Sequence, residues 1–117
     1  MIDVAVVGLG KMGLSHLSMI KAHPEANLVG VCDATGYLLD ILSKYTGVAT
    51  YKDLGKMLDE AAPEAIIVAT PTHLHAGMIR EAFRRGIHVF CEKPLVIDPA
   101  ESVELAALAE EKGIVTQ

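Results

Sequence analysis

Three glycines near the amino terminus are spaced so that the backbone, rather than side chains, could bind a ligand. Gly8, Gly10 and Gly13 follow the apolar run 2–7 and open a stretch with helical periodicity. At such a junction the first glycine permits a tight turn, the second admits a pyrophosphate to the backbone, and the third lets helix and strand pack closely. Free N–H groups and the helix dipole favour the anion. The predicted cofactor-binding residues of this dinucleotide loop are Gly8, Leu9, Gly10, Lys11, Met12 and Gly13.

The other common glycine-rich loop, the phosphate-binding loop of ATPases, does not fit these residues. That loop has the pattern GxxxxGK followed by Ser or Thr. Here Gly10 and Lys11 are followed by Met12, and Ala5 stands five positions before Gly10. The sequence therefore does not indicate ATP hydrolysis.

An acidic residue stands at the end of the second strand-like run, 20 residues beyond Gly13. The carboxylate of Asp33 could accept hydrogen bonds from both hydroxyls of an adenine ribose. It would repel a 2′-phosphate by up to about 4 kcal/mol at about 4 Å and an effective dielectric constant of about 20. Residues 34–36 contain no Arg or Lys that would offset this repulsion. We therefore expect NAD rather than NADP, whether or not Asp33 also caps the following helix.

Composition and charge exclude several classes of protein. The 117 residues are 51% apolar and 21% charged, with a formal net charge of −5 and no basic stripe, so nucleic acid is not an expected partner. The uncharged run 65–69 is far shorter than the roughly 20 residues of a membrane span. Two cysteines without a CxxC motif, and no secretory signal, indicate reduced thiols and a cytoplasmic protein.

The apolar pattern alternates between short strand-like runs and stretches with a 3.6-residue period. This alternation predicts an α/β fold of the Rossmann type, a doubly wound parallel sheet with helices on both faces. The predicted strands are 2–7, 27–32, 48–50, 65–70, 87–91 and 114–116. Helices are predicted over 11–22 and 37–45, and after the N-caps Asp53, Thr72 and Asp98, the last with Glu101 completing a capping box.

The run 114–116 would be a sixth strand, and the chain stops at Gln117 within it. A natural terminus seldom cuts a buried strand, because chain ends usually lie outside the core. We therefore expect 1–117 to be the dinucleotide-binding domain of a longer polypeptide, whose substrate domain lies beyond this chain.

Polar residues follow the fourth and fifth predicted strands, at 70–75 and 92–93. In an open α/β sheet these positions share one edge with the glycine loop, and ligands bind at that edge. His73, His75 and Cys91 supply three potential ligands but no fourth, so no metal site is predicted. We interpret His16, on the first helix, as a cap or a hydrogen-bonding group at the edge of the core rather than as a base.

Three ordered motifs together resemble the amino-terminal domain of the glucose-fructose oxidoreductase and inositol dehydrogenase (Gfo/Idh/MocA) family. They are Gly8–Gly13 continuing to His16, then ATPTHLH at 69–75, then HVFCEKPL at 88–95. The resemblance covers nearly the whole chain and implies NAD(P)-dependent hydride exchange with a sugar or polyol carbon. It implies that Lys93 is catalytic and assists proton transfer at the reacting hydroxyl. It also implies cofactor contacts from Glu92 at the nicotinamide ribose, from Pro94 after a cis peptide, and from Thr70, Pro71 and His75 along the groove.

The family's active site also takes an Asp and a His from a second domain, which this chain lacks. The same resemblance implies that the complete protein is a homo-oligomer. A regulator that binds the dinucleotide without chemistry is the alternative function, and the presence of Lys93 favours the enzyme. The substrate itself cannot be read from these residues, because the far wall of the pocket would come from the second domain.

Overall fold

The computed structural model describes all 117 residues as five parallel strands that alternate with five α-helices. The strands are β1 (Ile2–Val7), β2 (Ala26–Cys32), β3 (Thr50–Tyr51), β4 (Ala65–Val68) and β5 (His88–Cys91). The helices are α1 (Lys11–Ala22), α2 (Gly36–Thr46), α3 (Leu54–Ala61), α4 (His75–Arg84) and α5 (Pro99–Lys112). The sheet order β3-β2-β1-β4-β5 is that of a doubly wound Rossmann sheet, which confirms the predicted fold class.

Successive residues of the central strand pack against opposite layers of helices. Val6 belongs to an apolar cluster with Leu17 of α1, and its neighbour Val7 belongs to a second cluster with Met57 of α3 and Phe83 of α4. Side chains alternate across a strand, so one strand serves both layers. Each fully buried side chain of this size contributes about 1.5–3 kcal/mol. The sheet is therefore covered on both faces, as predicted, with α1 and α2 on one side and α3, α4 and α5 on the other.

Local signals in the sequence set most of the helix ends. The side chain of Asp53 accepts a hydrogen bond from Lys56 N at 2.7 Å, and that of Asp98 accepts one from Ala100 N at 2.9 Å. Gly113 ends α5 with φ +65°, in the left-handed region that glycine tolerates. None of the helices combines the length and the apolar character that crossing a membrane requires.

Two predicted caps are wrong. Thr72 makes no side-chain capping bond, because Leu74 N bonds to Pro71 O at 3.0 Å and closes residues 72–74 into a tighter 3-10 turn, so that α4 begins only after it. Glu101 does not complete a capping box. Its carboxylate accepts a hydrogen bond from Arg80 Nη2 at 3.0 Å, which links α5 to α4.

The strands β2 and β5 differ from prediction by one residue at their starts, and the larger differences lie at three other places. β3 begins two residues later than expected and ends one residue later, where Thr50 and Tyr51 pair with Val31 and Cys32 of β2. β4 ends at Val68 instead of Thr70. The predicted sixth strand is reduced to one parallel bridge between Val89 and Thr116, with Gln117 N bonded to Val89 O at 3.1 Å. The carboxyl-terminal residues therefore follow the predicted direction beside β5 without forming a full strand.

Candidate functional site

The three glycines of the loop between β1 and α1 have different structural roles. Gly8 has φ +96°, and a Cβ there would lie 2.5 Å from the carbonyl oxygen of Ala69 at the end of β4. A Cβ on Gly13 would overlap the carbonyl oxygen of Gly8. A Cβ on Gly10 would meet no protein atom within 4 Å. The fold itself therefore requires the first and third glycines, whereas the second borders open space.

The loop also presents backbone donors without partners. The N–H groups of Gly10, Lys11 and Met12 bond to no acceptor in the protein, because the first bond of the α1 ladder is Leu14 N to Gly10 O. Such amides at the start of a helix, with the positive end of its dipole, form an anion site. Leu9 differs from the other loop residues, since its side chain is buried and its N–H already donates to Asp33.

The carboxylate of Asp33 joins the end of β2 to the glycine loop. Its Oδ2 accepts from Leu9 N at 2.7 Å, and its Oδ1 accepts from Thr35 N at 2.7 Å. The N-cap of α2 is Thr35, so Asp33 is not itself the helix cap. A carboxylate has about four lone-pair positions, which leaves two for further donors such as ribose hydroxyls.

A groove of about 640 Å³ runs along the carboxyl edge of the strands. Eight of the predicted cofactor-binding residues line it, namely Gly8, Leu9, Gly10, Lys11, Met12, Asp33, Thr70 and Pro71. Its walls also contain residues outside the predicted set, among them Ala34, Lys52, Leu54, Leu74 and Met78. Lys52 directly follows β3 and therefore lies at the shared carboxyl edge, but the strand predicted at 48–50 ends before Tyr51, so the sequence did not point to this lysine.

His75 does not line the groove, and the expectation that it would is wrong. The side chain is only 1% exposed. Its Nε2 lies 2.8 Å from Thr70 O, and its Nδ1 lies 3.1 Å from Pro94 O and 3.0 Å from Leu95 O. The imidazole therefore sits beneath the site and links the turn after β4 to the segment after β5.

Glu92 pairs with the first helix. Its Oε1 lies 2.6 Å from His16 Nε2, and the His16 ring packs edge-on against Phe90 with centroids 4.9 Å apart. The hydrogen bond from His16, more than any other interaction, lowers the pKa of the Glu92 carboxyl. His16 is thus the core-edge hydrogen-bonding group that was predicted.

Lys93 is exposed and forms no ion pair within 4 Å. The Lys93–Pro94 peptide is cis, as the resemblance implied. Lys93 and Pro94 do not line the groove, and Glu92 and Gly13 do not line it either. No three His, Cys, Asp or Glu side chains come together as metal ligands would.

A doubly wound sheet, a glycine loop with unbonded amides at the start of α1, and a carboxylate at the end of β2 define a dinucleotide-binding Rossmann domain. Residues 2–117 match the family model of the Gfo/Idh/MocA proteins, described as the oxidoreductase family with an NAD-binding Rossmann fold. The chain belongs to this family, and its cofactor is NAD.

Relatives and solved structures agree with this assignment. The chain is 31% identical over 115 residues to scyllo-inositol 2-dehydrogenase (NAD(+)) of Bacillus subtilis, covering 97% of the chain and 34% of that protein. GenD2 from gentamicin A biosynthesis, solved in complex with NAD, is 32% identical with a TM-score of 0.92, over 98% of this chain and 33% of GenD2. Scyllo-inositol dehydrogenase from Lactobacillus casei, with bound NAD(H) and scyllo-inositol, is 27% identical with a TM-score of 0.92, over 99% and 35%. This chain thus spans about a third of the length of the relatives it matches.

Proposed function

We propose that this chain is the cofactor-binding part of an oxidoreductase that transfers a hydride between NAD and a sugar or polyol. The observation that carries the proposal is the open space over Gly10, beside unbonded amides and across from the Asp33 carboxylate. We propose further that residues 1–117 form one domain, and that a second domain, outside this chain, completes the substrate pocket. The names of the two inositol dehydrogenases support a polyol as the class of substrate.

The residues of the groove fit a dinucleotide. The amides of Gly10, Lys11 and Met12 would bind the diphosphate, and Asp33 would accept hydrogen bonds from the adenine ribose. The apolar side chains of Leu54 and Met78 offer surface for the bases. Bound NAD would accept the hydride, and in the reverse direction NADH would donate it.

Lys93 would accept the proton that the substrate hydroxyl loses in the reaction. When a secondary alcohol becomes a ketone, the C–H electron pair leaves as hydride and the hydroxyl proton must go to a base. A lysine amine within hydrogen-bonding reach of that hydroxyl can accept the proton and return it in the reverse reaction. Lys93 is available for this role because it is exposed and bonded to no carboxylate.

The test begins with cofactor binding and continues to turnover. Calorimetric titration of the chain with NADH should show saturable binding, and its absence at millimolar cofactor would contradict the proposal. In the complete protein, Lys93→Met should lower the turnover number for inositols or sugars by about 10²–10⁴-fold while NADH still binds, because general acid–base catalysis contributes that much. Lys112→Met, remote on α5, is the matched control. Binding without turnover on a broad polyol panel would favour the regulator instead.

We extend the proposal to the assembly and location of the complete protein. The family resemblance supports a homo-oligomer, and the cysteine usage supports the cytoplasm. Sedimentation equilibrium of the complete protein tests the first point, because a monomer at all concentrations would contradict it.

A further inference from the structure

The third strand brings a lysine to the adenosine end of the groove. Tyr51, the last residue of β3, lies opposite Cys32, the last residue of β2, and Asp33 N bonds to Tyr51 O at 3.1 Å. The next residues along the two strands, Asp33 and Lys52, therefore emerge side by side at the carboxyl edge. Both line the groove.

The Lys52 side chain reaches across to the start of α2. Its Nζ lies 3.0 Å, and its Cε 3.1 Å, from the position that a Cβ on Gly36 would occupy. Gly36 is three residues after Asp33, in the segment where nucleotide-binding sheets carry the cation that accepts a 2′-phosphate. Residues 34–36 themselves contain no cation. The structure therefore supplies from β3 the positive charge that the segment after β2 lacks.

The charge of Lys52 is available to a ligand. Asp33 uses its two oxygens to accept bonds from Leu9 N and Thr35 N, and no carboxylate lies within 4 Å of the Lys52 ammonium. A ribose held by Asp33 would carry its 2′ substituent at that carboxylate. An anion attached there would thus meet the repulsion of Asp33 and the attraction of Lys52 together.

We propose that Lys52 determines cofactor specificity, by offsetting the repulsion between Asp33 and a 2′-phosphate so that the domain binds NADP as well as NAD. NAD stays the preferred cofactor, because Asp33 gains the ribose hydroxyls only when they are unmodified. The difference in affinity between NAD and NADP is therefore smaller than Asp33 alone would impose. This inference rests on the proposed function, since it requires a dinucleotide in the groove.

The test compares the two cofactors by calorimetric titration of the chain, with 5′-AMP and adenosine 2′,5′-bisphosphate as fragments that isolate the 2′-phosphate. In the unsubstituted chain NADP should bind less than about a hundredfold more weakly than NAD. Lys52→Met should weaken NADP and the bisphosphate about tenfold, or ~1.4 kcal/mol, and weaken NAD and 5′-AMP less than about twofold. Lys52→Arg should retain NADP binding, and the exposed Lys21→Met, at the far end of α1, should change neither cofactor.

Two results would overturn the inference while leaving the proposed function standing. One is normal NAD binding with no measurable NADP binding in the unsubstituted chain. The other is a Lys52→Met variant in which both cofactors change by the same factor, or neither changes. If the unsubstituted chain binds neither cofactor, the proposed function fails, and this inference fails with it. Retained NAD binding by Lys52→Met also shows that the variant is folded.

Discussion

Replacement of Gly10 by alanine should strongly weaken cofactor binding while leaving the fold intact. Gly10 has φ −70°, which alanine adopts without strain, and its added methyl would touch no protein atom within 4 Å. The same methyl would stand where a diphosphate must approach the unbonded amides of the loop. The substitution therefore tests whether cofactor binding requires glycine at this position although folding does not.

The expected change in the free energy of unfolding follows from the position of Gly10 as the N-cap of α1. Alanine is a poorer N-cap than glycine by about 0.5–1 kcal/mol, but it reduces the entropy of the unfolded chain by about 0.4–1 kcal/mol. These effects nearly cancel, so the free energy of unfolding should change by less than about 0.5 kcal/mol. A hydrogen bond to a charged group contributes about 1.5–3 kcal/mol. The loss of two amide–phosphate bonds should thus weaken NAD binding about a hundredfold or more.

Urea unfolding and calorimetric titration with NAD measure the two effects on the same samples. Gly77→Ala, at an open position within α4, is the matched control, because it should raise stability by up to about 1 kcal/mol and leave NAD binding unchanged. Gly13→Ala should destabilise the chain strongly, since its methyl would overlap Gly8 O. If Gly10→Ala binds NAD as tightly as the unsubstituted chain, the diphosphate does not bind against the amides of this loop.

Two further predictions concern titratable groups. The hydrogen bond from His16 lowers the pKa of Glu92 from its ordinary 4.5, so the ionised carboxylate stabilises the fold above that value, and the contribution disappears as pH falls through the lowered pKa. Glu92→Gln should therefore reduce the free energy of unfolding at neutral pH and converge with the unsubstituted chain in acid, whereas a constant difference would contradict the pairing. Burial, above all, raises the pKa of Cys32 and Cys91 to about 11, so iodoacetamide at mildly alkaline pH should alkylate them far more slowly in the native than in the urea-unfolded chain. Equal rates would contradict the burial of these thiols.

Much of the candidate site could be predicted because it depends on local patterns. The glycine spacing, the apolar run before it and the acid after the second strand each identify a feature within a few residues of chain. Parallel strands then bring Gly8 and Asp33 to one edge without further information. The caps at Asp53 and Asp98 were predictable for the same reason, since each bonds within three residues.

Periodicity and turn chemistry are local, so the class of fold, the glycine loop and the acidic residue beside it can be predicted from short stretches of residues. Which side chains meet across the sheet depends on how distant segments pack. The contact of His16 with Glu92 spans 76 positions, and the place of Lys52 beside Asp33 depends on the register of β3 against β2. His75 lies beneath the groove for a similar reason, since the carbonyls of Thr70 and Pro94 come together only when β4 and β5 pair. Such contacts arise from register and packing between distant segments, which no short window of residues contains.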